Sequence, residues 1–175
     1  FHSGLGGVQE ILLACIIGPI TIYATAELSR SPDVNWRHIQ EHAVERFPAV
    51  LGATGYVALL LTLMSLTFIL IPLALYKAVQ WFFTPEAVLL DNASWREARH
   101  VSAQRMRGHW IRALALVVAM GAVAGLPGPL IGTLGLIMDW MHLEQAQWVS
   151  AGIYCVLYPI ALIMATLFYL RISTA

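Results

Sequence analysis

Residues 49–70 read AVLGATGYVALLLTLMSLTFIL, a run without one charged side chain. A helix of about 20 apolar residues crosses the ~30 Å hydrocarbon core of a bilayer. Several runs of this kind follow one another, and a water-soluble globule built from 175 residues could not hide them all. Charge agrees with this: 59% of the residues are hydrophobic and 11% charged, where soluble domains carry about 25% charged residues. The solvent is therefore lipid, and the expected fold is an all-α polytopic transmembrane helical bundle. It forms a single integral membrane domain over 1–175. Formal net charge is zero, so no overall basicity points to nucleic acid.

The pattern predicts about five spans, near 8–27, 49–70, 71–90, 110–126 and 147–170. Pro19 is expected to kink the first. The third is the least apolar, because it holds Lys77, Gln80, Pro85 and Glu86. Between the last two spans, two prolines and three glycines argue for a short re-entrant or interfacial segment over one continuous helix. Cys15 and Cys155 both lie inside apolar runs and read as small core hydrophobes. The first residue is Phe1, and an odd number of spans suggests one more helix upstream.

Two polar connectors interrupt the apolar runs. One, at 28–47, holds Arg30, Arg37 and Arg46; the other, at 91–112, holds Arg96, Arg99, Arg105, Arg107 and Arg112. Arg171 follows the last span, and the connection at 127–146 has no Lys or Arg, only Asp139, His142 and Glu144. The positive-inside rule then places both connectors and the C-terminus in the cytoplasm. Each connector is predicted to form an amphipathic helix on the cytoplasmic face, at about 33–47 and 95–108. Ser31 and Pro32 suit the start of the first, and Pro48 its end. Ser94-x-x-Glu97 is a capping box that should start the second near Trp95. At helical spacing Trp95, Ala98, Ser102 and Met106 share one face, and Arg96, His100 and Arg107 another. The apolar face can lie on the bilayer or on neighbouring spans. Arg96, Arg99, His100, Arg105, Arg107 and Arg112 form the expected lipid- or partner-docking set, each cation contributing about 1 kcal/mol near an anionic leaflet. The simpler alternative is that these charges only fix topology. Asn92-Ala-Ser is formally a glycosylation sequon, unused on a cytoplasmic face.

The stretch IPLALYKAVQWFFTPEAVLLDNASWREARHVSAQRMRGHWIRAL resembles the core of a bacterial multi-pass family. That family includes the membrane domain attached to some glycerophosphoryl diester phosphodiesterases, and related uncharacterised inner-membrane proteins. The matching positions are Ile71-Pro72, Lys77, Pro85, Ala98, Ser102, Gly108 and Trp110. The closing segment YPIALIMATLFYLRIST is similar at Pro159, Tyr169 and Arg171, although members often carry Tyr-Asp-Leu-Arg where this chain has Tyr169-Leu170-Arg171. The resemblance implies a fold of about six helices and a bacterial inner-membrane location, without catalytic residues.

Other candidate sites are weaker. HIQEH at 38–42 matches a zinc-peptidase pattern, with His38 and His42 on one helical face. The segment otherwise reads as a solvated amphipathic helix with Trp36, Ile39, Ala43 and Phe47 on its apolar side. Lys77 falls inside the third span, where an unpaired charge costs roughly 2.5–3.5 kcal/mol at the bilayer centre. It should snorkel or find an acid, and Glu10 in the first span is the best-placed one. Glu27 and Glu86 read as interfacial. None of the six histidines is central in a span, which disfavours a histidine-held pigment, and no cofactor is expected. Gly121-x-x-x-Gly125 permits close helix approach.

The first functional expectation is a non-enzymatic scaffold or lipid-interacting protein of the bacterial inner membrane, with anionic lipid head groups as partners. A second is an accessory subunit of a respiratory or photosynthetic membrane complex, packed on other subunits. A third is a small transporter centred on Lys77.

Overall fold

The computed structural model describes the backbone of residues 3–31 and 34–173, and their side chains except at 3–16 and 68. It is helical, with no strand among the described residues. Eight α-helices follow in order: α1 (Ser3–Arg30), α2 (Trp36–Leu66), α3 (Ile71–Trp81), α4 (Thr84–Leu90), α5 (Ala98–Arg105), α6 (Trp110–Met120), α7 (Pro127–Ile137) and α8 (Leu143–Ser173). A 3-10 turn at Phe68–Leu70 precedes α3, and a π-helical turn at Gly121–Gly125 joins α6 to α7. Among the described residues, three stretches are long and apolar enough to cross a membrane: Trp36–Leu66, Trp110–Ile137 and Leu143–Ser173.

The helices differ from the expected spans in ways that trace to proline. The interfacial helix at 33–47 and the span at 49–70 are one 31-residue helix, α2. Pro48 withholds one N–H, and the carbonyl it frees belongs to Val44, on an exposed face. Asn35, and not Ser31, starts this helix: its side-chain oxygen accepts from the N–H of Arg37 at 3.1 Å and of His38 at 3.4 Å. Likewise α1 runs unbroken through Pro19. After the π-turn the chain bends at Leu126 and continues at once as α7, with Pro127 and Pro129 in its first turn, where helical N–H groups lack partners anyway, so Trp110–Ile137 forms one stretch of membrane-crossing length. In contrast, 71–90 does break, at 82–83. Pro85 cannot donate to the carbonyl of Trp81, and the Thr84 hydroxyl donates to it instead, at 2.5 Å.

Packing is inverted relative to a soluble bundle. The buried positions are rich in alanine, among them Ala26, Ala53, Ala87, Ala98, Ala113 and Ala165, while Leu66, Ile69, Leu75, Ile111 and Ile137 are exposed. Lipid tails are as apolar as leucine, so helices there associate through close van der Waals contact, and small residues allow it. The α7–α8 pair is the clearest case: a Cβ on Gly128 would stand 2.8 Å from the Ser150 carbonyl oxygen, and one on Gly132 2.8 Å from the Ser150 hydroxyl. The Ser150 hydroxyl donates to the Gly128 carbonyl at 2.8 Å. By contrast, a Cβ on Gly121 or Gly125 would meet nothing within 4 Å.

The two arginine-bearing connectors meet. Asn92 adopts a left-handed backbone (φ 54°), which asparagine tolerates better than most residues. Its side-chain oxygen accepts from the Arg46 guanidinium at 2.6 Å. The chain that leaves Arg46 along α2 thus returns to it through α3 and α4.

Candidate functional site

The predicted arginine helix is shorter than 95–108: it is α5, over Ala98–Arg105. Ser94 and Glu97 do pair, hydroxyl to carboxylate at 2.7 Å, but the residues after Ser94 form a turn before the helix begins. Ala98, Ser102 and Met106, one helical turn apart, are fully buried. They pack on α3 and α4, so the buried face of α5 rests on protein. Ser102 fixes the register. Its hydroxyl donates at 2.7 Å to the carbonyl of Gln80, one of the terminal α3 carbonyls that lack an intrahelical partner.

This docking opens a cleft of about 530 Å³ between the exposed side of α5 and the side of α3. Lys77 and Gln80 line it from α3, and Arg99, His100, Gln104 and Arg107 from α5 and the turn that follows. Tyr76 and Trp81 form aromatic walls, and among the described residues no aspartate or glutamate lines it. Among the described residues, none of Lys77, Arg99 and Arg107 forms an ion pair. Lys77 Nζ donates to Gln80 Oε1 at 3.0 Å and lies 5.7 Å and 5.8 Å from the Tyr76 and Trp81 ring centres. Arg99 stacks 5.0 Å over Tyr56, and its Nε is buried without a hydrogen-bond partner. Neutral dipoles and ring faces thus hold these cations together where carboxylates would normally do so.

The predicted docking residues separate into two groups. Arg99, His100 and Arg107 line the cleft, whereas Arg96 stacks 4.8 Å over the neighbouring Trp95 and Arg112 is exposed on α6. Arg105 turns the other way, pairing with Asp91 and stacking 4.8 Å over Tyr169. The Tyr169 hydroxyl donates to the second Asp91 oxygen at 2.5 Å. This junction ties the end of α8 to the end of α5. Nothing local to the sequence marks it, since Asp91 and Tyr169 lie 78 positions apart.

The remaining candidates lie elsewhere. The side chain of Glu10 is outside the described residues, so the Lys77–Glu10 pair is too; the described partner of Lys77 is Gln80. His38 and His42 form an aromatic group with Tyr23, His42 stacking on that ring at 4.2 Å. No three His, Cys, Asp or Glu side chains are grouped to hold a metal among the described residues. Glu86, read as interfacial, is 2% exposed within the core. Sequence reasoning flagged Lys77 and the arginines separately and missed Tyr76, Gln80, Trp81 and Gln104 as their companions. A signal existed: Tyr76, Lys77, Gln80 and Trp81 recur at helical spacing as a polar and aromatic stripe in an otherwise apolar run.

The described residues thus define a helical fold, three of its helices long and apolar enough to cross a membrane, with a cationic, aromatic-walled cleft on a short helix. No family model, curated protein or solved structure matches the chain.

Proposed function

We propose that this is a non-enzymatic, multi-pass bacterial inner-membrane protein, a scaffold or lipid-interacting module that holds anionic lipid head groups in the cleft between α3 and α5. The observation that carries the reading is the convergence of Lys77, Arg99 and Arg107 on one cleft, with no carboxylate lining it among the described residues. Cations left without ion pairs beside an anionic leaflet attract its head groups, at about 1 kcal/mol per basic residue. Tyr76 and Trp110, packed edge to face at 5.7 Å next to the cleft, are the residue types favoured at head-group depth. The Arg46–Asn92 bond supports placing both basic connectors in one compartment, which the positive-inside rule makes the cytoplasm. The resemblance to phosphodiesterase-linked membrane domains belongs with this reading.

The test is binding of the purified protein to phosphatidylcholine vesicles with and without phosphatidylglycerol. Combined Lys77→Gln, Arg99→Gln and Arg107→Gln changes remove three charges, or about 3 kcal/mol, and should weaken anionic-lipid binding on the order of 100-fold. Equal binding by parent and triple variant at low salt would leave these charges with a topological role alone.

A further inference from the structure

Resting on that reading, we infer that the cleft selects lipids whose head group ends in a phosphate monoester over lipids joined through a phosphate diester. Three features of the cleft lead there.

The first is charge. Lys77, Arg99 and Arg107 present three positive charges, and among the described residues none lining the cleft is acidic. A diester supplies one negative charge. A phosphate monoester supplies about 1.5 to 2 and three strong acceptor oxygens.

The second is donor geometry. Arg99 and Arg107 stand on one wall and Lys77 on the other, with the side-chain amides of Gln80 and Gln104 between them as further donors. The Arg99 Nε is buried and lacks an acceptor. A guanidinium binds phosphate best through two parallel N–H donors, and the oxygens of a terminal phosphate can meet both walls at once. In a diester two of the four oxygens are tied into carbon linkages, leaving fewer acceptors for the same donors.

The third is the attachment of the phosphate to apolar chains. At the rim, Tyr76 packs against Trp110, and their chain neighbours Leu75 and Ile111 are 66% and 68% exposed. A head group in the cleft therefore has an apolar surface beside it on which acyl chains can lie. The volume, about 530 Å³, falls within the range of small-molecule sites.

The experiment uses the full chain in detergent micelles, titrated with short-chain phosphatidic acid, phosphatidylglycerol or phosphatidylcholine, with occupancy read by native mass spectrometry. The same lipids in vesicles matched for surface potential form a second arm, and glycerol 3-phosphate serves as soluble competitor. Phosphatidic acid should bind at least 10-fold more tightly than phosphatidylglycerol, and glycerol 3-phosphate should compete only at far higher concentration. Arg99→Lys, which keeps the charge and loses the fork, should abolish most of that preference. Ala103→Phe, which fills the cleft from a partly exposed position without altering charge, should weaken binding of both anionic lipids and remove the preference between them. Equal affinity for the two anionic lipids, or a preference that survives Ala103→Phe in a protein of unchanged circular dichroism, overturns the inference while leaving anionic-lipid binding intact. Failure of both anionic lipids to bind better than phosphatidylcholine overturns the underlying reading as well. Competition by glycerol 3-phosphate at the lipid's own concentration overturns the lipid attachment and assigns the cleft to free phosphate esters.

Discussion

Replacing Tyr169 by phenylalanine removes one oxygen atom and tests the junction that holds the cleft together. Tyr169 itself is fully buried. The ring keeps its place, stacked 6.0 Å from Phe83 and under Arg105 at 4.8 Å. What disappears is the hydrogen bond to Asp91. A hydrogen bond to a charged group contributes about 1.5–3 kcal/mol, and because Arg105 still neutralises the other carboxylate oxygen, we expect a loss of about 2 kcal/mol. Arg105→Met removes the ion pair from the opposite side. The Arg105 and Asp91 side chains are 28% and 20% exposed, so solvent screening reduces the cost of a broken buried pair to about 2 kcal/mol as well. Since both partners act on one carboxylate, the double variant should depart from additivity by about 1 kcal/mol. Equilibrium unfolding in mixed micelles, followed by far-ultraviolet circular dichroism, gives these differences. The same variants should weaken anionic-lipid binding, because Arg105 anchors the end of α5 that carries Arg107 into the cleft. A Tyr169→Phe protein within about 0.5 kcal/mol of the parent, below the range for such a bond, would refute the argument.

Other predictions concern the helix contacts and the topology. Gly128→Ala drives a Cβ to 2.8 Å from a backbone oxygen of α8, and should cost about 1–3 kcal/mol in the same unfolding assay. Gly121→Ala meets open space and should be neutral or stabilising by up to about 1 kcal/mol; a marked loss there would reveal a further helix packed on that face. Ser102→Ala leaves the terminal Gln80 carbonyl unserved in a fully buried position, and should cost about 1–3 kcal/mol. Single cysteines at exposed Arg37 and Arg96, in a background lacking Cys15 and Cys155, should both react with an impermeant maleimide from the same side of a sealed vesicle. Labelling from opposite sides would remove the shared compartment on which the cytoplasmic assignment rests.

How much of this was legible beforehand varies by element. The buried face of α5 was readable at Ala98, Ser102 and Met106, which obey helical spacing whatever they pack against, whereas Trp95, read on the same face, lies in the turn before the helix and is 40% exposed. The extents of α2 and α7 were not. Pro48, Pro127 and Pro129 look like stop signals, and whether proline stops a helix depends on whether the freed carbonyl finds another partner or the missing N–H was idle already. The cleft was half legible: Lys77 announces itself as a charge in an apolar run, and the arginines as a cluster, but their distance from each other along the chain hid their meeting.

By itself the sequence determined that the chain is helical and carries stretches long and apolar enough to cross a membrane, since those properties sum over many side chains and survive errors in any one boundary. It also determined which residues carry the charge. Tertiary structure alone decided which arginine serves what: Arg105 is held by Asp91 and Tyr169, while Arg99 and Arg107 face Lys77 across the cleft. The physical reason is that an ionic group's role depends on its neighbours within a few ångströms, and those neighbours come from helices far apart in the chain.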